Sequence, residues 1–268
     1  KHTKLMKIKV LYEDSNILAI DKPSGVSVHS DGRSREKTIA DWVLKNYPKT
    51  KNVGENEIYQ VDDKNKKIKI EIKRPGIVHR LDKETSGVLL LAKNEKAYQF
   101  LKSQFQERVV KKTYVAIVSG DMKNDRGVIN KPIGRSPKDF RRYLAGRGAR
   151  GEMRDAVTQY RVLKRFTLDP SDLKATSPSQ GRESIKEGAK FTYLEIHPKT
   201  GRTHQIRVHM KYLNHPVVCD SLYNPDNPCP KGITRMALHA KSIEFKNLKG
   251  EIIRVESSVP KEFIKLII

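Results

Sequence analysis

Cysteine is almost absent from this chain, with Cys219 and Cys229 the only two in 268 residues. Two cysteines cannot build the dense disulfide framework of a small secreted scaffold, and their spacing is not that of a zinc knuckle. Buried or idle thiols in a reducing cytoplasm are expected. Tryptophan occurs once, and aromatic residues make up 7%. No apolar run approaches the ~20 residues of a membrane-spanning helix. Lys1-His2-Thr3-Lys4-Leu5-Met6 lacks the apolar core of a signal peptide, and a trimmed start or a natural start at Met6 is expected. Acidic residues are scarce, 31 against 54 Lys plus Arg, which leaves +23.

What remains is a chain with 37% hydrophobic and 32% charged residues, long enough to bury a real core as one large domain or two closely packed ones. The positive charge is dispersed among the apolar segments instead of gathered in a tail. That distribution implies a basic face or groove on a folded body, and a polyanion, first of all nucleic acid, as partner.

Turn formers punctuate the strands. Glu13-Asp14-Ser15-Asn16 separates Val10-Leu11-Tyr12 from Ile17-Leu18-Ala19-Ile20, and Asp62-Asp63-Lys64-Asn65 separates two alternating runs at 58–61 and 68–72, so two hairpins are expected. Thr38 is placed to cap a helix bearing Ile39, Trp42, Val43 and Tyr47 on one face, with Trp42 as a core anchor and Pro48 as the stop. Asn94 is placed to cap another, with Ala97, Phe100, Leu101, Phe105 and Val109 on one stripe. Further strands are expected at 88–92, 111–120, 156–163 and 190–197, then a hairpin over 236–245 and 251–255 and a last helix from Pro260.

Chemistry concentrates in a few stretches. His79-Arg80-Leu81-Asp82-Lys83-Glu84-Thr85-Ser86-Gly87 presents a carboxylate two residues after an arginine, on a segment that feeds a short apolar strand. Taken alone, it is more simply a turn closed by Asp82 and Thr85. In Asp21-Lys22-Pro23-Ser24-Gly25-Val26-Ser27-Val28-His29, Pro23 and Gly25 break a strand, and Lys22 and His29 are positioned to touch phosphate, with plain solvation as the alternative. Tyr114 shares a strand face with Ala116 and Val118. After Gly201, Thr203 is placed to cap a helix with Ile206, Met210 and Leu213 inward and Arg207 on a more polar side. His204, His209 and His215 fit capping and hydrogen bonding better than zinc, since no Cys or carboxylate completes a ligand spacing. Between 131 and 154, Arg135, Lys138, Arg141, Arg142, Arg147, Arg150 and Arg154 are interleaved with Phe140 and Tyr143 in what reads as an irregular loop able to grip phosphates and stack bases. Residues 169–189 read as a flexible surface insertion.

Three of these strings, in order Asp21-Lys22-Pro23-Ser24-Gly25, His79-Arg80-Leu81-Asp82 with Thr85-Ser86-Gly87, and Gly201-Arg202-Thr203-His204-Gln205-Ile206-Arg207-Val208-His209, resemble the three signatures of the RluA family of RNA pseudouridine synthases. The resemblance runs from about Val10 to Phe263. Cys219 before Asp220 departs from the Gly-Asp usual in that family. The resemblance implies an α+β pseudouridine-synthase fold, with a curved, mixed, mostly antiparallel sheet in two halves, flanking helices and a central catalytic cleft. It implies an N-terminal extension over 1–9 and one catalytic domain over 10–268 in two subdomains, with loop insertions near 135–154 and 169–189.

The implied activity is isomerisation of uridine in rRNA or tRNA to pseudouridine, in which the N1–C1′ bond breaks, the uracil turns in place and C5 rejoins C1′. Asp82 matches the family's catalytic aspartate, acting as nucleophile at the sugar or as base at C2′. Tyr114 matches its active-site tyrosine, stacked on the flipped base and placed to help remove the C5 proton. Arg207 matches the basic residue that pairs with the aspartate and keeps it ionised. Arg80 matches an arginine that fills the stack left by the flipped base, offsetting part of a few kcal/mol of lost stacking. RNA contacts are also expected from His79, Lys22, Arg202, His204, Arg141 and Arg142. Neither a metal nor an external cofactor is expected, and the protein is expected to act on structured RNA as a monomer, in the cytoplasm and away from membranes. Two alternatives stand beside this reading, a noncatalytic RNA-binding or ribosome-assembly factor and a base-excising glycosylase. The second would need another carboxylate to activate water.

Overall fold

The structure is a computed structural model that describes residues 7–30, 32, 36–63, 66–174 and 188–268. The chain divides into two compact units, Lys1–Val110 with Ser242–Ser257, and Lys111–Lys241 with Ser258–Ile268. In chain order the first contributes β1 (Lys9–Glu13), β2 (Ile17–Lys22), α1 (Ile39–Asn46), β3 (Glu57–Asp63), β4 (Lys66–Ile72), β5 (Ser86–Ala92) and α2 (Glu95–Gln106). The second contributes β6 (Lys111–Ser119), β7 (Arg126–Asn130), β8 (Ile133–Arg135), β9 (Tyr143–Ala145), β10 (Arg150–Arg154), β11 (Val157–Leu168), β12 (Ala189–Pro198) and α3 (Gln205–Tyr212). Then come β13 (Leu238–Lys246), whose residues from Ser242 on belong to the first unit, β14 (Ile252–Glu256) and α4 (Lys261–Ile267).

In the first unit β2 pairs antiparallel with β1 and with β5. The β1–β2 turn closes on Asp14, whose Oδ1 accepts the N–H groups of Asn16 at 2.7 Å and Ile17 at 2.6 Å. All seven residues of β5 are buried, as its unbroken apolar run requires. β3 and β4 form the expected second hairpin. Thr38 caps α1 in a reciprocal arrangement, with its Oγ1 accepting Asp41 N–H and Asp41 Oδ2 accepting Thr38 N–H. Trp42, expected as a core anchor, is only half-buried and lies beside Tyr47 with ring centroids 5.8 Å apart. Asn94 caps α2 through Ala97 N–H at 3.0 Å. That helix ends at Gln106 and buries Ala97, Tyr98, Leu101 and Gln104, which leaves Val109 outside the expected stripe and exposed. One core joins Ile17, Ala19, Val88, Leu90 and Leu101 to Ile243, Phe245 and Val255.

Gly76 delivers the chain to the stretch around Asp82. It has φ +64°, its N–H donates to Val53 O and its O accepts Ala92 N–H at 2.8 Å, and a Cβ there would collide with Ala92 O. Only glycine allows so close an approach in this backbone conformation.

In the second unit β12 pairs antiparallel with β6 and β11, and β11 with β7. Val115, Ile117, Leu194, Ile196, Met210 and Phe263 share its core. The arginine-rich stretch is loop only in part, with Lys138, Arg141, Arg142 and Arg147 between strands and Arg135, Arg150 and Arg154 on them. β8 pairs antiparallel with β9 and β10 in a small sheet, and strands of three to five residues are too short to register as periodicity. Residues 175–187 of the expected insertion lie outside the described residues. Cys219 and Cys229 are not idle thiols, because a disulfide joins them with Cα atoms 5.3 Å apart. β13 and β14 form the expected hairpin, and Pro260 precedes α4.

Candidate active site

In the first unit, the loop between Ile77 and β5 is held on both flanks of Asp82. Leu81 is buried, Asp82 half-buried and Arg80 exposed. Thr85 N–H donates to Asp82 O at 3.1 Å, so the expected turn exists in the backbone. The neighbouring loop clamps the next two residues. Lys83 O accepts both Lys22 Nζ at 3.0 Å and Gly25 N–H at 2.8 Å, and Glu84 O accepts Ser24 Oγ–H at 2.6 Å. The Asp21 to Gly25 string therefore positions the Asp82 loop.

Lys22 is not the phosphate contact expected of it. It has no exposed surface, and its ammonium also donates to Pro23 O at 2.9 Å and Val26 O at 2.7 Å. A cation that has been desolvated needs such acceptors, and using them removes it from RNA. His29 is likewise buried, with Nδ1 2.9 Å from Ser30 O. His79, also expected on RNA, turns inward. Its Nε2 accepts Leu90 N–H at 2.9 Å, which places the ring proton on Nδ1, and the ring stacks on Phe105 at 4.7 Å. It ties the loop to β5 and α2.

The second unit holds Tyr114, half-buried on β6 and opposite Ile196. Thr203 does not cap α3. His204 occupies that position with φ +55° and no side-chain bond to the helix. Gln205 organises the entrance from inside the first turn, accepting Thr200 Oγ1–H and Arg202 N–H through Oε1 and donating to Val157 O and Thr158 Oγ1 through Nε2. Arg207 is not on a polar side either. It is 5% exposed and pairs with Asp220, Nε to Oδ2 at 2.7 Å and Nη2 to Oδ1 at 2.8 Å. Its guanidinium carbon lies 5.0 Å from the centroid of Tyr223, whose hydroxyl meets His204 Nδ1 at 3.0 Å and accepts Tyr143 N–H at 2.9 Å.

Asp220 and Tyr223 went unread in the sequence. The visible signal was Cys219 in place of a family glycine. Cys219 has φ +55°, the left-handed conformation that glycine adopts without strain, so a special turn precedes Asp220.

The histidines of this stretch are hydrogen-bonded. His209 is fully buried between Thr158 Oγ1 at 2.8 Å and Lys131 O at 3.0 Å, and burial lowers its pKa. Lys112 donates to Thr200 O at 3.2 Å, and burial brings its ammonium down to about 8. Arg202 donates Nε–H to Asp155 O at 2.9 Å. Arg141 forks onto Asp139 at 3.1 and 2.9 Å, and the Arg141 bond is the first cause of an Asp139 pKa of about 2. Arg142 Nε stands 3.6 Å from the same carboxylate, and Phe140 between Asp139 and these arginines is 72% exposed.

A family model described as RNA pseudouridylate synthase matches residues 16–212. The chain belongs to that family. The enzyme isomerises uridine in RNA to pseudouridine. It is 34% identical over 258 residues to the ribosomal large subunit pseudouridine synthase D of Borreliella burgdorferi, covering 96% of this chain and 67% of the relative. The Xanthomonas campestris protein of the same name is 35% identical, with 97% and 68% covered. An uncharacterized RNA pseudouridine synthase of Aquifex aeolicus is 36% identical, with 96% and 71% covered. Among solved structures, human RNA pseudouridylate synthase domain containing 1 superposes with a TM-score of 0.65 at 23% identity, covering 94% of this chain and 83% of the other. The enzyme has the α+β fold of the pseudouridylate synthases.

Proposed function

We propose that the enzyme modifies ribosomal RNA of the large subunit, with Asp82 as its reacting carboxylate. Relatives named for that RNA support the substrate. The observation that carries Asp82 is the clamp around it. Three hydrogen bonds on Lys83 O and Glu84 O hold the backbone just beyond a half-buried carboxylate, and a preorganised group of that kind is what displacement at a crowded sugar carbon requires. Asp82 acts at C1′ as nucleophile or at C2′ as base, and both roles need it ionised. The N1–C1′ bond breaks, the uracil rotates, C5–C1′ forms, and the hydrogen on C5 leaves as a proton while N1 gains one. Tyr114 stacks on the base and assists that last transfer. Arg207 is the basic partner that the family signature assigns to the carboxylate.

RNA is held by Arg80, Arg202, His204, Arg141 and Arg142, with Phe140 offering a stacking face. The exposure of Arg80 and of Phe140 and the net charge of +23 support this grip. The protein acts as a monomer, and a cytoplasmic location fits the ribosomal substrate. The decisive test is tritium release from RNA carrying 5-tritiated uridine. Wild type releases tritium, whereas Asp82→Asn loses roughly 10³-fold or more in rate. Near-wild-type release by that variant would strip Asp82 of the role.

A further inference from the structure

Arg207 is gripped inside its own unit by a group to which no role has been attached. Asp220 has no exposed surface and takes Nε and Nη2 of the guanidinium together. The carboxylate is itself fixed, since its Oδ1 accepts the N–H groups of Leu222 and Tyr223, each at 3.0 Å. Beneath the guanidinium lies the Tyr223 ring, 5.0 Å away and held at its hydroxyl by His204 and Tyr143. Edge and face of the guanidinium are therefore both defined by residues from one turn, 220–223.

We propose that Asp220 is a positioning residue of the isomerisation, acting through Arg207. The bidentate grip sets the plane of the guanidinium and so the direction in which Nη1 is presented, which a single hydrogen bond would leave free to swivel. It also offsets most of the positive charge, which makes Arg207 a directional donor instead of a bare cation. An ammonium at this position could carry the charge but not the direction. The proposal rests on Arg207 taking part in catalysis, as argued above.

The test is a cycle of Asp220→Asn and Arg207→Lys, singly and together, in single-turnover and steady-state tritium release, with thermal melts of each protein. Asp220→Asn is expected to lower kcat by about 10²-fold, with KM for RNA nearly unchanged and the melt native. In the Arg207→Lys background it should have almost no further effect on kcat, because the group it positions is gone. Equal losses in both backgrounds, or a loss confined to KM, would overturn the proposal. If Asp220→Asn does not fold, Asp220→Glu keeps the charge and displaces the grip, and a native melt with wild-type kcat would equally overturn it. Should wild type itself release no tritium, the catalytic reading fails and the grip is judged alone by hydrogen exchange at Arg207 Nε in ¹⁵N NMR. Slow exchange in wild type and fast exchange in Asp220→Asn support the grip, and fast exchange in both removes it.

Discussion

Two buried cations, one in each unit, are satisfied in opposite ways. Lys22 gives its ammonium hydrogens to the carbonyl oxygens of Pro23, Val26 and Lys83. Arg207 gives two parallel N–H groups to one carboxylate, that of Asp220. An ammonium is a compact donor on a flexible stem, suited to gathering several backbone segments, whereas a guanidinium is a planar fork that a carboxylate can orient. Lys22 therefore imposes order on a loop, and Arg207 has order imposed on it. In both places the expensive event is burial of charge, and what it achieves depends on the shape of the cation.

The sharpest way to break this comparison is Lys22→Met, which keeps the stem and removes all three donors. It leaves buried carbonyls short of partners and should destabilise the protein by about 3–5 kcal/mol, read as a shift in the urea midpoint. A loss below about 1 kcal/mol would mean the carbonyls find water and the loop does not depend on the ammonium.

Lys112 sharpens the contrast, being a half-buried lysine whose ammonium bonds to Thr200 O and whose pKa desolvation brings down to about 8. Below pH 8 the lysine is charged in both folded and unfolded chains, and the folded state bears the whole desolvation penalty. Between about 8 and the unfolded value of 10.5 the folded chain gives up the proton first, so the unfolded state binds more protons and stability rises with pH. Relative to Lys112→Met, wild type should gain on the order of 1–3 kcal/mol across that window. A flat difference curve from urea titrations at several pH values would show that Lys112 keeps its water.

The smallest effect belongs to Ser24→Ala, which removes only the 2.6 Å bond to Glu84 O. About 1 kcal/mol of stability and a severalfold drop in tritium release are expected. An unchanged rate would place the positioning of Asp82 wholly on Lys22 and Gly25.

Much of the fold was legible because its signals are local. The β1–β2 hairpin is declared by Asp14, α1 by Thr38 and Asp41, and α2 by Asn94. Misreadings arose where a side chain serves a distant segment. The start of α3 is set by Gln205 reaching β11, so the nearby Thr203 misled. Lys22 looked like a phosphate ligand because a charge in a Pro-Gly loop normally faces water, and only the fold brings Lys83 O, 61 residues on, to its ammonium. Asp220 stands 13 residues beyond Arg207, a separation with no helical or strand period to announce a pairing.

The burial of Lys22 also makes it a reporter. In a chain dense with lysine, an amine-acylating reagent will mark the exposed amines within seconds, but Lys22 reacts only when its three carbonyl bonds open together. Its labelling rate, followed by peptide mass spectrometry with and without RNA, clocks how often the loop beside Asp82 comes loose.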